Sequence, residues 1–474
     1  MTSLKSLPRD KVRPGAAVPR TTSASLPCAV RRRGPSIGRA TATMVGLLLL
    51  GAATPLRAQS LLELYQAARG SDATYQSARA LYESVPYRVE QARAGLRPSA
   101  ALTGSAARVE TDPALGARYG SNSLNLSVTG RQPIYNPALT VSVRQAERAL
   151  DVAQADLDSA EQDLILRLGQ AYFDVLAAED TLRTTRTAKV AINEQLASAR
   201  RNFEVGTATI TDTREAQARF DLATAQEIAA ENDLLTRRIA LDQLVGQADV
   251  RPRQLAVPVA LPALPPLDAD AWVSLAEAQH PAVRRARTAF DVARLETDKA
   301  RAATSPTVDA VASVGGGRGA LGGQFGSTAG TNTSASVGVQ LNLPLYSGGA
   351  MQARIKETLV LEERARSDLE AALRTVRQLT RQAYASLLSG AAQVRALEAA
   401  EASSQLALEA TQLGYRVGVR VNLDVLNAQT QLFQTRRDLA RARYEVLLGS
   451  LRLGQAAGQV GIQDVAAVDR LLAR

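Results

Sequence analysis

The residues that could do chemistry are few. The sole histidine, His280, directly precedes Pro281, and the sole cysteine, Cys28, lies close to the N-terminus. A single imidazole forms neither a metal cluster nor a relay without partners, and the sequence offers it none. The chain therefore predicts no enzyme, no metal and no cofactor. Charged and turn-forming residues do gather, and they gather twice. Val205-Gly206 is followed by Ile210-Thr211-Asp212, and Tyr415-Arg416-Val417-Gly418-Val419-Arg420 is followed by Asp424. Glycine at a helix end accepts positive φ without a Cβ clash, so Gly206 and Gly418 read as turn residues. Asp424 reads as an N-cap-like acid after its turn. One helical turn further on stands the neutral Asn427.

The elements that must position these turns are long. Apolar residues make up 46% of the 474-residue chain, aromatics only 4%, and Ala/Leu-rich sequence with abundant Arg, Gln and Glu favours helices. Spacing predicts helices over about 138–203 and 350–415, each roughly 100 Å long. Their apolar seams step 3-4-3-4, through Val143, Ala146, Leu150, Ala153, Leu157, Ala160, Leu164, Ala171 and Val175, and through Leu369, Ala372, Val376, Ala383 and Leu387. That is a heptad pattern, and alternating Leu with Ala lets neighbouring helices approach closely. Shorter helices are expected over 60–96, kinked at Pro86, and 269–303. Period-2 alternation predicts strands at 124–129 and 337–343, with weaker partners near 99–109 and 307–314. The Gly/Ser/Thr/Asn-rich stretches 111–121 and 315–332 read as connecting loops.

The same landmarks recur. Ala92-Arg93-Ala94 matches Ala300-Arg301-Ala302 at an offset of 208, Pro133-Ile134-Tyr135 matches Pro344-Leu345-Tyr346 at 211, and Gln170-Ala171-Tyr172 matches Gln382-Ala383-Tyr384 at 212. This order indicates a tandem duplication. The expected organisation is a leader (1–58), a first repeat (59–247), a Pro-rich linker (248–268), a second repeat (269–459) and a C-terminal tail (460–474).

The net charge of +10 resides almost wholly in the leader, so no basic patch for nucleic acid remains. Arg31–Arg33, the apolar run Met44–Ala53 and Leu56-Arg57-Ala58 read as a secretory signal with a long basic extension. Without Cys28 the exported chain has no disulfide framework. No later segment is apolar enough for a spanning helix, so any membrane crossing must use strands. Four strands per chain cannot close a membrane barrel, which needs at least eight. Several copies must share it, and the helices leading from the strands must follow the same ring.

With its duplicated helix–strand–helix plan, its Pro133 and Pro344 corners and its two glycine tips, residues 60–459 resemble the TolC family of outer-membrane channels. The likeness is greatest to outer-membrane components of type I toxin secretion, with drug or metal efflux channels as the alternative and a periplasmic coiled-coil adaptor as a weaker one. It implies an α+β membrane protein: a homotrimer with a 12-stranded β-barrel, continuous with a 12-helix coiled-coil tunnel, and a mixed equatorial belt around the linker and tail. It implies residence in the outer membrane, with the tunnel in the periplasm. Implied partners are outer-membrane lipid, a periplasmic adaptor, an inner-membrane ABC transporter and an exported protein. Asp424 and Asn427 match a periplasmic constriction. Three carboxylates roughly 6 Å apart would repel by about 3 kcal/mol per pair at an effective dielectric of 20. Thr211, Asp212, Tyr415 and Arg420 match a closed-state latch, and Val205, Gly206, Val417 and Gly418 match the adaptor-docking tips.

Overall fold

The computed structural model describes residues 59–112, 118–256, 268–323 and 326–473. The predicted leader and residues 257–267 of the Pro-rich linker lie outside them.

Helix α1 (Leu61–Ser71) opens with a capping box between Ser60 and Glu63, and α2 covers Ala73–Ala94. The expected kink at Pro86 is not where the helix breaks. It breaks at Asp72, whose carboxylate accepts from the Tyr75 backbone N–H at 2.7 Å. Two bonds from Arg167, of 2.9 and 3.1 Å, fix the same carboxylate. Pro86 lies inside α2 on its exposed side, where water can reach the carbonyl that its missing N–H leaves free. The second half repeats the break. Between α5 (Ala269–Gln279) and α6 (Pro281–Ala302), His280 Nδ1 accepts from the Ala282 N–H at 3.1 Å, and Pro281 takes the first helical position.

Four antiparallel strands form one sheet in the order β1 (Ser99–Thr111), β2 (Tyr119–Tyr135), β3 (Thr307–Gly323), β4 (Gly326–Asn342). Their register pairs Leu102 with Val128, Val128 with Val314, and Ala312 with Val337. The alternating apolar residues thus share one face, and Ser127, Ser313 and Ser336 share the other. The strands are longer than alternation predicted. Most of the stretch expected as a loop over 315–332 lies in β3 and β4, which stay paired from Thr307 to Gly323, and at Gly315 glycine permits a close approach. A Cβ on Gly315 would lie 2.9 Å from Ser127 Cβ and 3.0 Å from the Leu126 carbonyl oxygen.

Each sheet half runs into a long helix. Helix α3 (Pro137–Glu204) leads to α4 (Ile210–Val245), and α7 (Ala350–Arg416) leads to α8 (Asn422–Ala456). None of the seam residues read from the sequence is exposed. Below the sheet the neighbours run α2, α3, α6, α7; further along they run α4, α3, α8, α7. Helix α3 is flanked throughout and buries seventeen residues, whereas α7 buries six, so one side of α7 is open. Where α3 meets α1 on one side and α8 on the other, Leu64, Tyr65, Leu168, Tyr172, Leu447 and Leu451 form the largest core among the described residues. A short helix α9 (Ile462–Asp469) closes this core. The linker residues before 257 pack here too: Gln59 bridges Pro252, and Leu255 bridges Leu472. Among the described residues, no helix is long and apolar enough to cross a membrane.

Candidate gate at the helix tips

Both helical hairpins turn on glycine. Helix α3 ends at Val205, Gly206 takes φ 81°, and the Thr207 N–H bonds the Asn202 carbonyl at 2.8 Å. Helix α7 ends at Val417, Gly418 takes φ 82°, and the Val419 N–H bonds the Gly414 carbonyl at 3.0 Å. The left-handed residue lets the chain reverse while the last carbonyls stay bonded. Val205 and Val417 stand exposed beside the turns, at 72% and 65%, which leaves apolar surface at the tip.

The second helix of each hairpin starts differently. Thr209 and Asp212 form a full capping box, with bonds of 3.2 and 2.9 Å. At the other tip Val421 has no capping oxygen, and only Asp424 reaches back, 3.4 Å to the Val421 N–H. Asp424 is thus the third residue of α8 and not its N-cap, which corrects the sequence reading. Its carboxylate also stands 3.6 Å from Arg420, whose side chain lies over Gly414; a Cβ there would press 2.8 Å from Arg420 Cγ.

The four latch candidates do not converge within one chain. Asp212 is held by its own cap, and Thr211 is exposed. Arg420 faces Asp424, and the Tyr415 hydroxyl accepts from Asn202 Nδ2 at 3.1 Å. The bonds that join the two hairpins belong largely to residues the sequence did not single out. Arg219 donates to Asn427 Oδ1 at 3.0 Å, and Gln195 donates to Asn422. Leu426, 1% exposed, inserts between Ile192, Leu196 and Ala199 of α3 and Ala216 and Ala223 of α4. One signal was available: Asn422 and Gln429 stand seven residues apart in the seam of α8, and both are buried, the pattern of polar residues set into a heptad core.

The Pro-x-Tyr corners also differ. Pro133 lies within β2, where the register shifts between Pro133 and Tyr135. The turn into α3 is made at Asn136, whose side chain accepts from the Leu139 N–H at 3.1 Å. Pro344 lies beyond the end of β4, and α7 starts at Gly349, φ 87°. On the polar face of the sheet, Arg131 bonds the buried Asp309 at 2.7 Å.

Away from the sheet, buried polar residues lock the helices together. The Tyr444 hydroxyl donates to Asp180 at 2.6 Å, and burial together with that carboxylate pushes its pKa up. The Arg167 guanidinium holds Asp72 below the usual carboxylate range. Burial lowers the pKa of His280, which favours the neutral ring that its capping role requires. Among the described residues, no cluster of three His, Cys, Asp or Glu could hold a metal ion.

The sequence model described as "Outer membrane efflux protein" matches residues 64–247 and 272–459, one match per half. The chain belongs to this family of outer-membrane channels. It is 31% identical over 408 residues to the outer membrane protein TolC of Vibrio cholerae, covering 86% of this chain and 92% of that protein. It is also 31% identical to the alkaline protease secretion protein AprF of Pseudomonas aeruginosa, covering 86% of each. The solved outer-membrane channel CmeC of Campylobacter jejuni superposes with a TM-score of 0.73 at 16% identity, covering 87% of this chain and 90% of that one, a likeness of fold alone. The family resides in the outer membrane with its helices in the periplasm. The earlier resemblance thus holds as to family and location, and as to a mostly helical chain with one four-stranded sheet.

Proposed function

We propose that this chain is one third of an outer-membrane exit duct. Three copies share a 12-stranded barrel and a 12-helix tunnel, with the core around α1, α9 and the linker as the equatorial belt. The observation that carries this reading is a pair of matching open edges. One side of the chain ends in β1, α2 and α4, the other in β4 and α7. Both sides expose large apolar residues, Leu222, Ile228 and Leu235 on α4 and Val360, Leu379 and Leu406 on α7. In lipid each unpaired backbone group on an open strand costs several kcal/mol, so β1 of one copy must pair with β4 of the next.

The open tips of Val205, Gly206, Val417 and Gly418 suit an adaptor surface. Asp424 and Asn427 supply the constriction, with Thr211, Asp212, Tyr415 and Arg420 as the latch between neighbouring copies. Energy for transport comes from the inner-membrane ABC transporter that the adaptor joins, and the cargo is an exported protein of the toxin class. Similarity to a protease secretion protein over 86% of each chain supports protein cargo. The family's efflux description supports small-molecule export as the second reading. Deleting the chain separates them. Loss of one large protein from the culture medium is expected, and loss of drug tolerance with an unchanged medium would favour efflux. Heat-modifiable migration as a trimer tests the shared barrel, and a monomer that dissolves without detergent would overturn it.

A further inference from the structure

We infer that Arg108 and Arg318 form a phosphate-binding site for a glycolipid of the outer leaflet, on the lipid-facing rim of the sheet. The inference rests on the shared-barrel reading above. The register places both arginines on the apolar face. Ala106 pairs with Leu124 and Leu124 with Arg318, while Arg108 pairs with Asn122. Both therefore emerge on the side of Leu102, Leu126 and Val128, at the end of the sheet away from the helices. With the helices in the periplasm, that end faces outward.

A guanidinium on the lipid face is strongly disfavoured at mid-membrane and nearly free of penalty at the interface. These two stand where the apolar run stops, so they sit at headgroup depth. They lie two strands apart, about 10 Å laterally, with Leu124 between them. The depression they flank has a volume of about 630 Å³. Arg318 is exposed and has no ion-pair partner among the described residues. Arg108 pairs with Glu110 at 3.1 Å, but both side chains are more than half exposed, at 69% and 60%. Such a pair holds weakly and can exchange for phosphate, whose charge-assisted bonds to arginine are stronger.

The four strands contain two aromatics, Tyr119 and Tyr135, at opposite ends of β2. Tyr135 and the following corner residue Tyr346 are exposed at the helix end, where they suit an interfacial belt. At the outer end the strands carry one aromatic, Tyr119, so the exposed guanidinium of Arg318 and the weakly paired one of Arg108 are the groups that would favour a phosphorylated lipid over a zwitterionic one.

The test uses the full-length channel, extracted in mild detergent and purified as the heat-modifiable oligomer. Co-purifying phosphorylated glycolipid is measured by mass spectrometry for the wild type, Arg108→Gln, Arg318→Gln and the double variant. At about 1 kcal/mol per arginine near an anionic surface, affinity falls about fivefold for each single variant and about thirtyfold for the pair. Thermal stability of the oligomer should rise in vesicles containing the phosphorylated glycolipid. It should not rise with the dephosphorylated lipid or with inorganic phosphate in solution. Equal glycolipid retention by the double variant, or equal stabilisation by the dephosphorylated lipid, would overturn the site. An oligomer that fails to form even in the wild type would instead overturn the shared barrel, and the site with it.

Discussion

Replacing Leu426 with alanine should release the tip. Leu426 belongs to α8 yet is buried at 1% exposure among Ile192, Leu196 and Ala199 of α3 and Ala216 and Ala223 of α4. It is the main apolar contact between the two hairpins at this level. Removing a buried leucine side chain costs about 2–5 kcal/mol. The cost here falls on the closed position of one hairpin against the other, since each hairpin keeps its own core. A loss of about 3 kcal/mol favours the parted arrangement by roughly a hundredfold per chain. The polar contacts nearby, Gln195 with Asn422 and Arg219 with Asn427, contribute about 1 kcal/mol each and cannot restore the balance. Single-channel conductance in planar bilayers should rise in Leu426→Ala, with the oligomer still heat-modifiable. Unchanged conductance with a lowered melting temperature would mean that Leu426 stabilises the chain without governing the tip.

Arg420→Ala should raise conductance less than Leu426→Ala, because its pair with Asp424 spans 3.6 Å and is largely exposed; bilayer recording checks the order. Asn427→Asp should shift the reversal potential in a salt gradient toward cations, since a carboxylate would stand beside Asp424 at the constriction. Asp72→Ala should cost about 1–3 kcal/mol through the lost cap and the unpaired Arg167. Arg167 lowers the folded pKa of Asp72, so its contribution is present above the ordinary carboxylate range and is lost as pH falls below it. The variant's melting temperature should therefore depend less on pH there than the wild type's. Gly458→Ala should destabilise the belt, because φ is +74° and a Cβ would lie 2.5 Å from His280 Cα; thermal unfolding measures it.

The long helices were legible because a heptad seam such as the one from Val143 to Val175 is a strong periodic signal. The strands were found but cut short. Gly315, Gly316 and Gly317 look like loop residues, and only the register shows that β2 comes too close at Gly315 for a side chain there. Pro86 leaves α2 unbroken because it falls on an open helix face, which cannot be read locally, whereas Asp72 is a cap-forming residue type at the actual break. At the tips the turns were visible, as Gly206 and Gly418 require. Their partners were not: Asn202 meets Tyr415, and Arg219 meets Asn427, across more than two hundred residues. Such meetings depend on the rotational phase of four helices at their far ends, which no local pattern encodes.

The uneven covering of α3 and α7 has a genetic consequence. In the proposed trimer each subunit offers two unlike seams, so a copy damaged along α7 alone would still join a neighbour through α4. The ring it enters never closes. Made alongside an equal amount of normal protein, it would leave only about one trimer in eight fully normal. Lesions on that one helix should therefore act dominantly, poisoning assemblies they enter, whereas a truncated chain that cannot join at all would be silent.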